Sequence, residues 1–115
     1  MAVTAQGSGT QAATVPTEHT LLDVAVAGTY TLHVDTVNMV ALDVVELRIY
    51  QMVLTAGTRR VAYIARFEGA QPVDDLIKIS VPISNELTDA GALRFTLNQT
   101  FGTSRSYPWK VLRYA

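Results

Sequence analysis

From Glu18 onward, apolar and polar residues alternate with period two in short runs closed by turn residues, the pattern of half-buried β-strands. "HTLLDVAVAG" predicts a strand ending at Gly28, and "TYTLHVDTV" sets Tyr30, Leu32 and Val34 on one face. "LIKISVPIS" places Ile77, Ile79, Val81 and Ile83 on one side and Lys78 and Ser80 on the other. Pro82 cannot donate to a ladder, which predicts an edge strand. "ALRFTLNQTF" turns Leu93, Phe95, Leu97 and Phe101 inward, and "SYPWKVLRYA" closes the chain with Tyr107, Trp109 and Val111. Seven or eight such strands, with no helix of useful length, predict an all-β antiparallel sandwich or jelly-roll-like single domain over residues 18–115.

Residues 44–68 predict a hairpin with two unlike faces. Val45, Leu47, Ile49 and Val53 mark a core face, interrupted by Gln51. A three-residue loop at Thr55-Ala56-Gly57 supplies Gly at the left-handed position of a type I turn with a bulge. That register sets Ile49 opposite Tyr63, Leu47 opposite Ala65, Val45 opposite Phe67, Glu46 opposite Arg66 and Tyr50 opposite Ala62. The second face then carries Tyr50, Met52, Ala62 and Ile64 where polar residues belong, rimmed by charges that include Arg48 and Arg66. An apolar centre with an Arg-rich rim has the composition of a protein–protein contact, so these six residues are the expected oligomer contact. Packing of the same face inside one subunit is the competing explanation.

Residues 1–17, "MAVTAQGSGTQAATVPT", contain no charge and few groups able to build a core. They predict an extended N-terminal arm. Two placements stay open: Thr14 to Pro16 joins a sheet edge, or the arm lies along a neighbouring molecule, with Val3, Gln6, Gln11 and Val15 as its contacting side chains.

Composition narrows the chemistry. Nine Lys+Arg against ten Asp+Glu give a net charge of −1, without the basic excess that nucleic acid or an anionic membrane would call for. The absence of cysteine removes disulfides, thiolate metal sites and thiol nucleophiles. His19 and His33 are fourteen residues apart and Asp74-Asp75 has no further oxygen ligands beside it, so no metal or cofactor is expected. No nucleophile elbow or phosphate loop occurs, and an enzyme is not expected. No apolar run reaches membrane length, and the start lacks the basic and apolar regions of a secretory signal, so synthesis in a cytoplasm is expected. Tyr107, Trp109 and Tyr114 leave a sugar-stacking platform as a further possibility.

The stretches "DVVELRIYQMVLTAGTRRVAYIARF", "DDLIKISVPISNEL" and "FGTSRSYPWKVLRYA" resemble small proteins of tailed bacteriophages. The uncharged lead-in before a compact β-domain is similar in type to head decoration, or cement, proteins. The resemblance implies a virion location on the capsid exterior, the major capsid protein as partner, and a homo-oligomer, commonly a trimer. A tail or neck component, which shares the size, charge balance and β content, is the second reading.

Overall fold

The computed structural model describes residues 2–114, so Met1 and Ala115, the outermost residues of the expected arm and domain, lie outside the described residues. Nine strands follow in chain order: β1 (Val3–Ala12), β2 (Glu18–Val24), β3 (Gly28–Asp35), β4 (Val44–Gln51), β5 (Arg60–Glu68), β6 (Ile77–Ile79), β7 (Ile83–Asn85), β8 (Leu93–Phe101) and β9 (Ser106–Tyr114). They form two antiparallel sheets. One has five strands in the order β1-β9-β3-β6, with β7 also on β3; the other has four in the order β2-β8-β4-β5. The described residues include no helix.

Within residues 18–115 there are eight strands, β2 to β9, matching the expected seven or eight, and the ninth comes from the segment before them. Residues 3–12, read from the sequence as an arm, are extended but paired with β9 from Val3↔Tyr114 to Ala12↔Ser106. Pro82 falls between β6 and β7, and the Ser80 side chain carries the ladder across the break. The Leu32 N–H donates to Ser80 Oγ at 2.9 Å, while the Ser80 N–H donates to the Leu32 carbonyl at 2.9 Å.

The inner faces of both sheets meet in one core. Tyr30, Leu32, Val34, Tyr107 and Val111 come from the five-stranded sheet, and Val45, Leu47, Ile49, Phe95 and Leu97 from the other. The Tyr30 and Phe95 rings touch edge to face across the gap, centroids 6.3 Å apart. The arrangement is sandwich-like, as the alternation of these residues requires.

The hairpin register holds for Ile49↔Tyr63, Leu47↔Ala65, Val45↔Phe67 and Glu46↔Arg66, then shifts after Ile49, so that Tyr50 faces Val61 rather than Ala62. Beyond Gln51 the strands part. The Met52 N–H donates to the Ala92 carbonyl and the Ala56 N–H to the Asp89 carboxylate, which pull the loop toward residues 89–92. Val53, expected on the core face, is exposed as a result.

One alternation is inverted. Ile77, Ile79 and Val81, placed by the sequence on one side of a strand, are 51 %, 58 % and 54 % exposed, whereas Lys78 and Ser80 on the other side are 7 % and 5 % exposed. The Lys78 ammonium bonds Asp75 at 2.9 Å and lies 5.0 Å above the Phe67 ring, so its aliphatic stem fills the inner edge and its charge is satisfied.

Tyr107 is fully buried, and its hydroxyl donates to Gln99 Oε1 at 3.0 Å. Desolvation first, and the charge of Asp43 second, push this phenol from 10.0 up to about 12, against a smaller opposing effect of Arg105. A phenol whose pKa rises on folding holds its proton more tightly in the folded state. Its contribution, about 2–3 kcal/mol, is complete below pH 10 and is lost as pH climbs toward 12. Urea titrations across that range should show a falling stability that Tyr107→Phe flattens; an equal slope in both proteins would place the phenol in water.

Candidate interaction surfaces

With the core assigned, each sheet has one outer face, and the two differ in charge. On the four-stranded sheet the charges pair with one another. Arg94 grips Asp23 through two bonds of 2.7 and 3.0 Å, and Arg48 bonds Glu46 at 2.8 Å. Glu18 Oε2 accepts the Thr96 hydroxyl at 2.6 Å and the Tyr50 hydroxyl at 2.7 Å. Partial burial pushes the Glu18 carboxyl up, but the hydrogen bonds from Thr96 and Tyr50 and the charges of Arg48 and Arg94 hold it below the usual carboxylate range. Hydrogen bonding from Arg94 likewise holds Asp23 down.

Of the residues expected to form the oligomer contact, all but Met52 lie on the adjacent strands β4 and β5. Arg48 lies directly beside Ile64 in the ladder, and Tyr50 is engaged with Glu18. Ile64 and Ala62 are exposed on β5, Met52 is half-buried in the loop, and Arg66 reaches Glu68 at 3.7 Å.

The outer face of the five-stranded sheet has the opposite character. Ladder positions opposite the buried Val34 and Val111 put His33, Asp35, Lys110 and Leu112 on it, next to Ile77 and Ile79. Asp35 and Lys110 are the full charges on these positions of β3, β6 and β9. Desolvation, then the nearby Lys110 charge, lower the pKa of the His33 imidazole below the usual range. Its Nε2 lies 2.9 Å from Thr31 Oγ1. Ser8, Thr10, His33, Ile77 and Trp109 line a cleft of about 480 Å³ on this side. The inversion of β6 is what exposes the isoleucines here, a feature that alternation in the sequence marks without assigning a direction.

The arm's backbone pairs within the chain along β1. Val3 is exposed opposite Tyr114, Gln6 sits at the register shift between Ala5 and Gly7, Gln11 donates to the Ala12 carbonyl at 3.0 Å, and the Val15 N–H donates to Ser104 Oγ at 3.1 Å. Of the aromatic residues considered for sugar stacking, Tyr107 is in the core, Trp109 packs against it beside Gly9, and the Tyr114 hydroxyl lies 3.1 Å from Thr31 Oγ1. His19 Nε2 accepts the Thr14 N–H at 3.0 Å. Among the described residues no group of three or more His, Asp or Glu gathers as metal ligands, and no helix is long and apolar enough to cross a membrane. No family model matches the chain, and neither a curated protein nor a solved structure gives a significant match.

Proposed function

We propose that this chain is a non-enzymatic structural protein that acts by binding, and specifically that it decorates the outer surface of a tailed-phage head. The observation that carries the proposal is the charge-poor outer face of the five-stranded sheet, where Ile77, Ile79 and Val81 stand in solvent. An isolated chain gains nothing by leaving three adjacent apolar side chains of an edge uncovered; a partner surface gives them a function.

The strand pairing supports a jelly-roll reading. β1 pairs β9, β2 pairs β8, β3 pairs β6 and β7, and β4 pairs β5, a nested set closed by the β4–β5 hairpin and rolled into two sheets. Counting β6 and β7 as one interrupted strand leaves eight, the number in the double-sheet jelly rolls of viral capsid and lectin domains alike. The likeness of the sequence to small phage proteins favours a shell protein over a sugar-binding module, whose Tyr107 would have to leave the core.

The mechanism is mass action. A molecule that binds only the assembled shell stabilises it by an amount set by its free concentration over its dissociation constant, repeated at every equivalent position. On this reading the apolar face covers shell protein. Ile79→Asp should leave the fold within about 0.5 kcal/mol of the parent, because the side chain is mostly in water, while binding to particles is lost. Co-sedimentation of purified protein with heads stripped of it tests this. An unchanged bound fraction would remove the face from the contact, and a protein recovered only with tails would select the tail or neck reading.

A further inference from the structure

We propose that the open edge of β1 pairs antiparallel with β1 of a second copy, joining two five-stranded sheets into one. Each sheet has two edges, and three of the four are blunted. β2 carries Glu18, Asp23 and a register shift; β5 carries Arg60, Arg66 and Glu68; β6 and β7 are three residues each, separated by Pro82. These are the devices by which sheets avoid pairing with strangers. β1 lacks the charges and the proline, and its one register shift falls between Ala5 and Gly7, in the first half of the strand. It runs for ten residues, "VTAQGSGTQA", without a charge or a proline, and lies at the end of its sheet with one row of backbone donors and acceptors unpaired.

The occupant follows from the same residues. Pairing about a two-fold axis places β1 against itself in reverse, and an uncharged strand meets no like charge in any register of that pairing. From Gly7 to Ala12 its register with β9 is unbroken, which leaves a flat stretch for the partner. Gly7 and Gly9 point inward, where an added Cβ would stand 3.0 Å from Leu22 and 3.5 Å from Trp109, so small outward side chains such as Ser8 and Thr10 border the edge. Pairing of this kind also makes the apolar outer faces of two copies continuous. The inference does not depend on the partner being a phage head.

The test uses the whole chain. Mass in solution should rise from 12.5 kDa toward twice that value at protein concentrations up to about 1 mM. Amide exchange over residues 3–12 should slow as concentration rises, while β2 and β5 stay unchanged. The double variant Ser8→Glu/Thr10→Glu sets like charges across the axis, and its new Glu beside Lys110 favours the folded subunit. It should raise the dimer dissociation constant roughly ten-fold or more. A single 12.5 kDa mass throughout, a limit of three times that mass, protection appearing on another edge, or a double variant that associates like the parent would each overturn the pairing. Should the double variant fail to fold, parent exchange decides. A monomer that still bound particles would overturn the pairing and leave the head reading standing.

Discussion

Gln99→Ala should destabilise the fold by at least about 3 kcal/mol, although the residue lies far from either outer-face contact. Gln99 is fully buried at the end of β8 and makes four hydrogen bonds. Its Nε2 donates to the carbonyls of Phe101 and Thr103 at 3.2 and 2.7 Å, and its Oε1 accepts from the Arg105 N–H at 3.1 Å and the Tyr107 hydroxyl at 3.0 Å. One side chain therefore supplies the partners that the turn between β8 and β9 cannot find in its own backbone. Truncation leaves several buried groups unpaired, each costing about 1–3 kcal/mol, against a total stability of about 5–15 kcal/mol. Urea unfolding should show the midpoint falling with an unchanged slope. A loss below about 1 kcal/mol would mean that water replaces the side chain without cost.

Asp43→Ala should have a similar effect for an electrostatic reason. The Asp43 side chain is 1 % exposed, and its Oδ2 accepts from Arg105 Nε at 2.9 Å and from the Val40 N–H at 3.0 Å. Removing one partner of a fully buried ion pair costs about 3–5 kcal/mol. Arg105 is 29 % exposed and partly solvated when left alone. That puts the loss at the low end of that range or below, with the unpaired Val40 N–H added to it. Asp43→Asn keeps an acceptor for Val40 and should cost less. Gly102 has φ +97°, and an added Cβ there would overlap Asp43 Oδ1, so the turn is built around this carboxylate. Arg105 touches both Gln99 and Asp43, and the two substitutions should therefore be non-additive in a double-mutant cycle. Strict additivity would show that the two contacts act separately.

Much of this architecture was legible from the chain and some was not. Period two found β3, β4, β5, β8 and β9, because each has one mostly apolar face and a slip of one residue would bury charge. The inner residues Tyr30, Leu32 and Val34 were read correctly for that reason. Alternation says that two faces differ, but not which faces the core. On β6 the apolar face lost, since Lys78 finds both Asp75 and the Phe67 ring on the inside. β1 was unreadable as a strand because its inward positions include glycines, and hydrophobic periodicity cannot register a missing side chain. The signal was present all the same: Gly7 and Gly9, two apart, mark one face where Leu22 and Trp109 approach the backbone. The shift after Ile49 and the exposed Val53 were beyond turn chemistry, because the loop is drawn aside by bonds to Asp89 and Ala92, distant in sequence. As for the candidate site, its exposed isoleucines were named in the sequence as one side of a strand, with no direction assigned to that side.

The head-decoration proposal stands or falls on where the protein sits. The decisive measurement is to label the chain in particles produced by the genome that encodes it and to image them, with heads and tails also separated and weighed for the 12.5 kDa protein. The account predicts label over the outer surface of the head, in many copies at equivalent positions, with Ile79→Asp removing it. Label confined to tails, or particles that lack the chain altogether, would contradict it.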